Sequence, residues 1–359
     1  MLRTVLSRIY VPLLLICTLL MWGMSSVDAQ QNSIGSPRTV TCTLIDTDYD
    51  IDDMMAIPLV IGNRYVAAII TTEGYTLPAA GADALSRLIE DPYQRQIPVI
   101  TGASSNVSED TIINVWKKPY ILDYRKMMNK SFALLGTELH PAVPANYDFN
   151  KKLNNALAPC NSVEVLILGP FTSFVQYSRF LRAKINKVVI SGVPYTGDTT
   201  QQPGDISFNC EYDIVSCRSS FYLRLWRAKY FFVDVKRTPW DKTPIGHASD
   251  VFGPTYAMVT ALGEKGLPYA LKRALIGIIY NGSLGGSVAG VYYWAIDGYF
   301  RAGGKSLLWD QSAAMFLLHS NLYVMVGGQG GHFQTNGITP DQFRHLWTDD
   351  TNRAATYFE

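Results

Sequence analysis

Five aspartates stand within eight residues, Asp46, Asp48, Asp50, Asp52 and Asp53, in the run V-T-C-T-L-I-D-T-D-Y-D-I-D-D-M-M-A-I-P from Val40 to Pro58. Carboxylates this close repel one another unless solvent or a cation separates them. Capping of a following helix accounts for one or two of them, because Asp is favoured at a helix N-terminus. A hard divalent cation accounts for the cluster as a whole, since such ions take clustered carboxylate oxygens. An EF-hand needs Gly at its sixth position and Glu at its twelfth. Counted from Asp46 those positions hold Ile51 and Ile57, and a strand-like run precedes the loop. A phosphate-transferring D-x-D is followed by Thr or Val, whereas Asp50 follows here, and no cationic residue for phosphate is identifiable.

The elements that must position these acids follow from the hydrophobic pattern. Val40, Leu44 and Ile45 lead into the acidic loop as a strand, and Met54–Ile61 continues as a helix. Strands are expected at Tyr65–Thr72, Ile97–Thr101, Val163–Leu168, Ile185–Ser191 and Lys229–Val235, with helices at Ala79–Glu90, Tyr120–Leu135, Gly246–Leu262 and Tyr269–Tyr280. Such alternation predicts an α/β fold with a mostly parallel, Rossmann-like central sheet and helices on both faces. Ligands then collect at the carboxyl ends of the strands, where the aspartates meet Gly74 and Tyr75. The long polar loop Gly192–Ser207 is of a length that is usually functional. An apolar, aromatic stretch runs from Val288 to Arg301, and a further helix begins near Leu307.

Length and composition bound the rest. The chain has 359 residues, 48% hydrophobic and 17% charged, with a formal net charge of +1. That is ordinary globular composition with no sign of a nucleic-acid partner. Arg3 and Arg8 precede an apolar run, Ile9–Met24, and Ser25–Ala29 supplies a small-residue cleavage signal. Residues 1–29 therefore read as a secretory signal peptide, too short to be a comfortable spanning helix. No membrane association is expected after cleavage, and residues 30–359 read as a single domain. Sequons at Asn106, Asn129 and Asn281 agree with a secreted, extracellular glycoprotein. Cys42, Cys160, Cys210 and Cys217 would remain, enough for two disulfides of undetermined connectivity; Cys42 in its apolar strand also reads as a buried thiol.

Asp46-Thr47-Asp48-Tyr49-Asp50-Ile51-Asp52-Asp53 resembles the D-T-D-x-G-x-D-D signature of the nucleoside hydrolases at every Asp, with Asp50 in place of the Gly. Four later segments are similar to that family in the same order. Gly169-Pro170-Phe171-Thr172-Ser173 resembles its G-P-L-T-N turn, and Phe208-Asn209-Cys210-Glu211-Tyr212-Asp213 its A-E-F-N segment. Leu308-Trp309-Asp310-Gln311 resembles its late H-D-P-x-A, and the tail Leu322–Ile338, with V-M-V-G-G and T-N-G-I-T, its closing strands.

The resemblance implies a nucleoside-hydrolase-like fold, a homo-oligomer, and Ca2+-dependent cleavage of the N-glycosidic bond of ribonucleosides to free base and ribose. It implies Asp48 as general base and metal ligand, Asp53, Asp310 and the Leu168 carbonyl as further ligands, and Asp46 behind them. Ribose-binding positions map to Asp52, Tyr75, Asp205, Glu211 and Asp213, of which only Asp52 and Glu211 keep the family residue. An ionised Asp only accepts hydrogen bonds where Asn also donates, so a second expectation is a secreted binding protein with the metal site but weakened turnover. Trp309 (Trp stands here in the purine-preferring branch), Tyr212 and Trp116 are aromatic candidates to stack on the base or close the pocket. His247, His319 and His332 are candidates to protonate a leaving purine, though nothing in the sequence places them at the site.

Overall fold

Strand β1 (Thr41–Thr47) is buried beyond its first residue, with Leu44 facing one apolar layer and Ile45 the other. A strand apolar on both faces belongs inside a doubly covered sheet. In the computed structural model β1 pairs in parallel with β2 (Val66–Thr71) and β4 (Ser162–Ile167), at the centre of an eight-stranded sheet ordered β3-β2-β1-β4-β5-β6-β8-β7. The others are β3 (Val99–Thr101), β5 (Ile185–Ser191), β6 (Lys229–Asp234), β7 (Tyr323–Met325) and β8 (His332–Thr335). Among the described residues the β7–β8 pair alone is antiparallel.

The structure describes residues 40–89, 97–105, 148–194, 207–223, 229–234, 256–282, 309–326 and 331–358. The expected signal peptide, Trp116, the helix 120–135, Asp205, most of the loop 192–207, His247 and the stretch 288–301 lie outside them, as do the sequons at Asn106 and Asn129. Among the described residues no helix is long and apolar enough to cross a membrane.

Each face of the sheet carries its own helices. Helices α1 (Ile51–Ile61), α2 (Pro78–Ile89), α7 (Tyr256–Thr260), α8 (Gly266–Gly282), α9 (Trp309–Leu318) and α10 (Pro340–Asn352) supply the layer around Ile45, Leu166, Val189 and Val233. Helices α3 (Phe149–Ala156), α4 (Thr172–Leu181), α5 (Phe208–Tyr212) and α6 (Ile214–Leu223) supply the layer around Leu44, Val165 and Val188. Sequence patterning misses α3, α5, α6 and α10. For α10 the signal is there: Thr339 caps it reciprocally with Gln342, and Pro340 occupies its first turn.

Register is what builds the site. Asp46 lies opposite Ile70 on β2 and Ile167 on β4, so three chain exits reach the same sheet edge together. Among the described residues Cys42–Cys160 ties the start of β1 to the segment entering β4, and Cys210–Cys217 ties α5 to α6. Cys42 is therefore bonded rather than a buried free thiol.

Candidate active site

The acidic loop makes its turn at Tyr49, which takes φ +45°. A bulky residue in the left-handed region is strained, and the Tyr49 amide donates to Thr47 Oγ1 at 3.0 Å there. Asp50, which replaces the glycine of the resembling signature, has extended backbone and is the N-cap of α1. Its carboxylate accepts from the amides of Asp52 (3.1 Å) and Asp53 (3.4 Å), while Asp53 Oδ2 accepts from the Asp50 amide at 3.1 Å. The Thr47 hydroxyl donates to Asp53 Oδ1. Capping and clustering are thus the same residues at work.

Asp50, Asp52, Asp53 and Asp310 each place one carboxylate oxygen so that all four lie within 4.8 Å of one another, and all are buried. Asp310 arrives from the first turn of α9, across the sheet edge from α1. Burial, then the charges of Asp52 and Asp53, push the Asp310 carboxyl well above the usual range. Burial and then Asp52 do the same to Asp50. Asp52 is pushed up to about 6, mainly by burial, with a hydrogen bond from Asp50 opposing. A set of four buried carboxylate oxygens, with no His or Cys among them, fits a hard cation such as calcium.

Asp48 stands beside this group rather than in it. Its Oδ2 accepts from the Tyr75 amide at 2.7 Å, and its carbonyl accepts from Thr76 Oγ1 at 2.6 Å. Burial and then Asp53 raise its pKa well above normal, and the Tyr75 amide counters them. Two close backbone approaches confine it: a Cβ on Gly74 would lie 2.0 Å from Asp48 Oδ2, and one on Gly169 2.7 Å from the Asp48 amide nitrogen. Of the expected ligands, Asp53 and Asp310 fall in the four-oxygen group, which Asp50 and Asp52 complete, while Asp48 Oδ2 is engaged by the Tyr75 amide. The Leu168 carbonyl does reach this edge, but it accepts from Asn209 Nδ2 at 2.5 Å. Asp46 lies fully buried behind. Neither of its oxygens has a hydrogen bond of normal geometry, and the nearby Tyr177 hydroxyl only partly offsets the burial that raises its pKa.

The other mapped residues are placed as follows. Glu211 is buried on α5, and Trp309 is half-buried at the start of α9. The Tyr75 ring stacks on Phe208, with centroids 4.2 Å apart and planes at 9°. Tyr212 directs its hydroxyl to Glu73 Oε1 at 2.7 Å. Asp213 has both oxygens engaged: Oδ2 accepts from Thr172 Oγ1 at 2.7 Å and Oδ1 from the Ser216 amide at 3.0 Å. Asp213 thus caps α6 and receives the G-P-F-T-S turn. Ser173, standing for the family Asn, donates to Thr72 Oγ1 at 2.8 Å and accepts from the Ala103 amide at 2.9 Å.

Of the histidines, His319 binds Asp350 of α10 at 2.5 Å through Nε2, and His332 lies on β8, its pKa lowered by burial. Sequence reasoning did not single out Glu73, Asn209 or Phe208. An acid closing the buried run I-I-T-T-E was a usable signal for the first.

No protein-family model matches the chain, and no curated protein matches it by sequence. Solved structures do. The inosine-uridine preferring nucleoside hydrolase of Bacillus anthracis matches with TM-score 0.52 at 14% identity, over 88% of this chain and 99% of that one. The fold is that of the nucleoside hydrolases. The purine-preferring ribonucleoside hydrolase of Gardnerella vaginalis matches with TM-score 0.53 at 14% identity, over 87% and 99% of the two chains. The type III effector protein XopQ, solved with adenosine diphosphate ribose, matches with TM-score 0.57 at 12% identity, over 88% and 94%. In the nucleoside-hydrolase fold of this chain the acidic group occupies the carboxyl ends of the central strands, where open α/β sheets bind ligands.

Proposed function

We propose that this chain is a secreted, calcium-dependent nucleosidase that cleaves the N-glycosidic bond of ribonucleosides to free base and ribose. One observation carries the reading. Asp50, Asp52, Asp53 and Asp310 converge within 4.8 Å beside an Asp48 fixed by the Tyr75 amide. Those four carboxylates would hold the calcium ion, which when bound would lower the pKa of a water. Asp48 is the general base: its Oδ2 is anchored, which orients the carboxylate to take a proton from water. Asp52 and Glu211 bind ribose hydroxyls, and the acidic surroundings favour positive charge developing on the sugar. The stacked Tyr75 and Phe208 rings stand next to the amide that holds Asp48.

A second reading, a binding protein with the same metal site, is favoured by Asp213 and Asn209. The first is committed to capping α6, and the second occupies the Leu168 carbonyl. Incubation of the purified protein with inosine and with uridine, in calcium or in chelator, separates the two. Release of base in calcium alone is expected. Calcium binding without release of base from either nucleoside would put the second reading first.

Export is supported by the cysteines: all four that follow Ala29 are paired, as an oxidising compartment allows. The secreted protein should begin near Gln30 and lose mass on deglycosylation. N-terminal sequencing that finds Met1 in secreted material would sink this.

A further inference from the structure

The α5 segment carries a polar atom that the family segment it resembles lacks, the hydroxyl of Tyr212 where that segment has Phe. This hydroxyl is buried and donates to Glu73 Oε1 at 2.7 Å. Glu73 is itself buried, and its other oxygen accepts from the Ser105 amide at 2.9 Å. Its own amide donates to the Ala103 carbonyl at 3.1 Å. Two residues further on, the Tyr75 amide holds Asp48, and the Tyr75 ring stacks on Phe208 at the head of α5. The carboxylate of Glu73 thus joins the chain leaving β2, the chain leaving β3, and the helix that carries Glu211.

Burying a carboxylate costs several kcal/mol unless its oxygens are satisfied. Tyr212 and Ser105 satisfy them only while the three segments keep their present spacing. We propose that Glu73 and Tyr212 form a latch of positioning residues, which fixes the distance between the general base Asp48 and the sugar-binding Glu211. Its effect reaches the substrate through Tyr75 on one side and Glu211 on the other. Asn209, one turn of chain away, fastens the same helix to the Leu168 carbonyl, so α5 is held from two directions.

This inference rests on the nucleosidase reading, and its test is built to fail separately from it. Tyr212→Phe and Glu73→Gln are each expected to raise KM for inosine about tenfold with kcat within about twofold, because a displaced Glu211 weakens sugar binding. Calcium affinity, titrated directly, should stay at the wild-type value in both. The double variant should lose no more than either single, the mark of two residues acting as one unit. A merely stabilising pair would lower the melting temperature and leave KM alone; that outcome, or additive losses, overturns the proposal. Amide hydrogen exchange gives a readout that needs no turnover. Tyr212→Phe should speed exchange at both the Tyr75 and Ser105 amides, and unchanged exchange at Tyr75 overturns the latch even if the wild type hydrolyses nothing.

Discussion

Asp48→Asn is expected to lower kcat/KM for inosine by about 10³-fold while leaving calcium binding close to wild type. Asn cannot take a proton from water, but its side-chain oxygen still accepts from the Tyr75 amide, so the loop keeps its shape. Asp53→Asn is expected to do the reverse in the order of causes. It removes a charge from the group of four, weakens calcium binding first, and loses activity as a consequence. Calcium titration and steady-state kinetics on the two variants make the distinction. If Asp48→Asn loses calcium as badly as Asp53→Asn, Asp48 is a principal ligand and the separation seen here between base and metal group is wrong.

That separation shows where sequence reading reached its limit. The acidic loop was legible because five charges in eight residues demand a common explanation, and β1, β2, β4 and β5 were legible from their continuous apolar runs. Asp50 was ambiguous. Its sequence position suits a helix cap and a cation site equally, and the structure uses it for the first while leaving it inside the group of four. Asp213 has a role that resemblance, which assigns by position, does not show. That role, capping α6 through the Ser216 amide three residues on, is a local signal that D-x-x-S could have given. The Glu73–Tyr212 bond spans 139 residues of chain, and no pattern of spacing reveals such a contact. What the register of β1 against β2 and β4 brings together is tertiary information. The sequence shows which residues can do chemistry, and the sheet decides which of them meet.

Without calcium, the protein is expected to lose stability as the pH rises from about 4 to about 6. The sign follows from Asp52, whose carboxyl is pushed up from 3.8 to about 6 by burial in the folded chain. Between those values the folded state holds a proton that the unfolded chain has released, so stability falls with rising pH. For a shift of this size the loss is on the order of 3 kcal/mol from Asp52 alone. Asp48, Asp50 and Asp310, raised in the same direction, add to it. Calcium should oppose the trend, because the ion binds the deprotonated carboxylates and gains affinity as they ionise. At a hundredfold excess over its dissociation constant it contributes about 2.7 kcal/mol. Scanning calorimetry across this range, in calcium and in chelator, should therefore give melting temperatures that diverge as the pH rises. Asp52→Asn should flatten the chelator curve, since an amide neither gains nor loses the proton. Parallel curves in the two buffers would mean that these carboxylates do not hold the ion, and the nucleosidase reading would lose its metal.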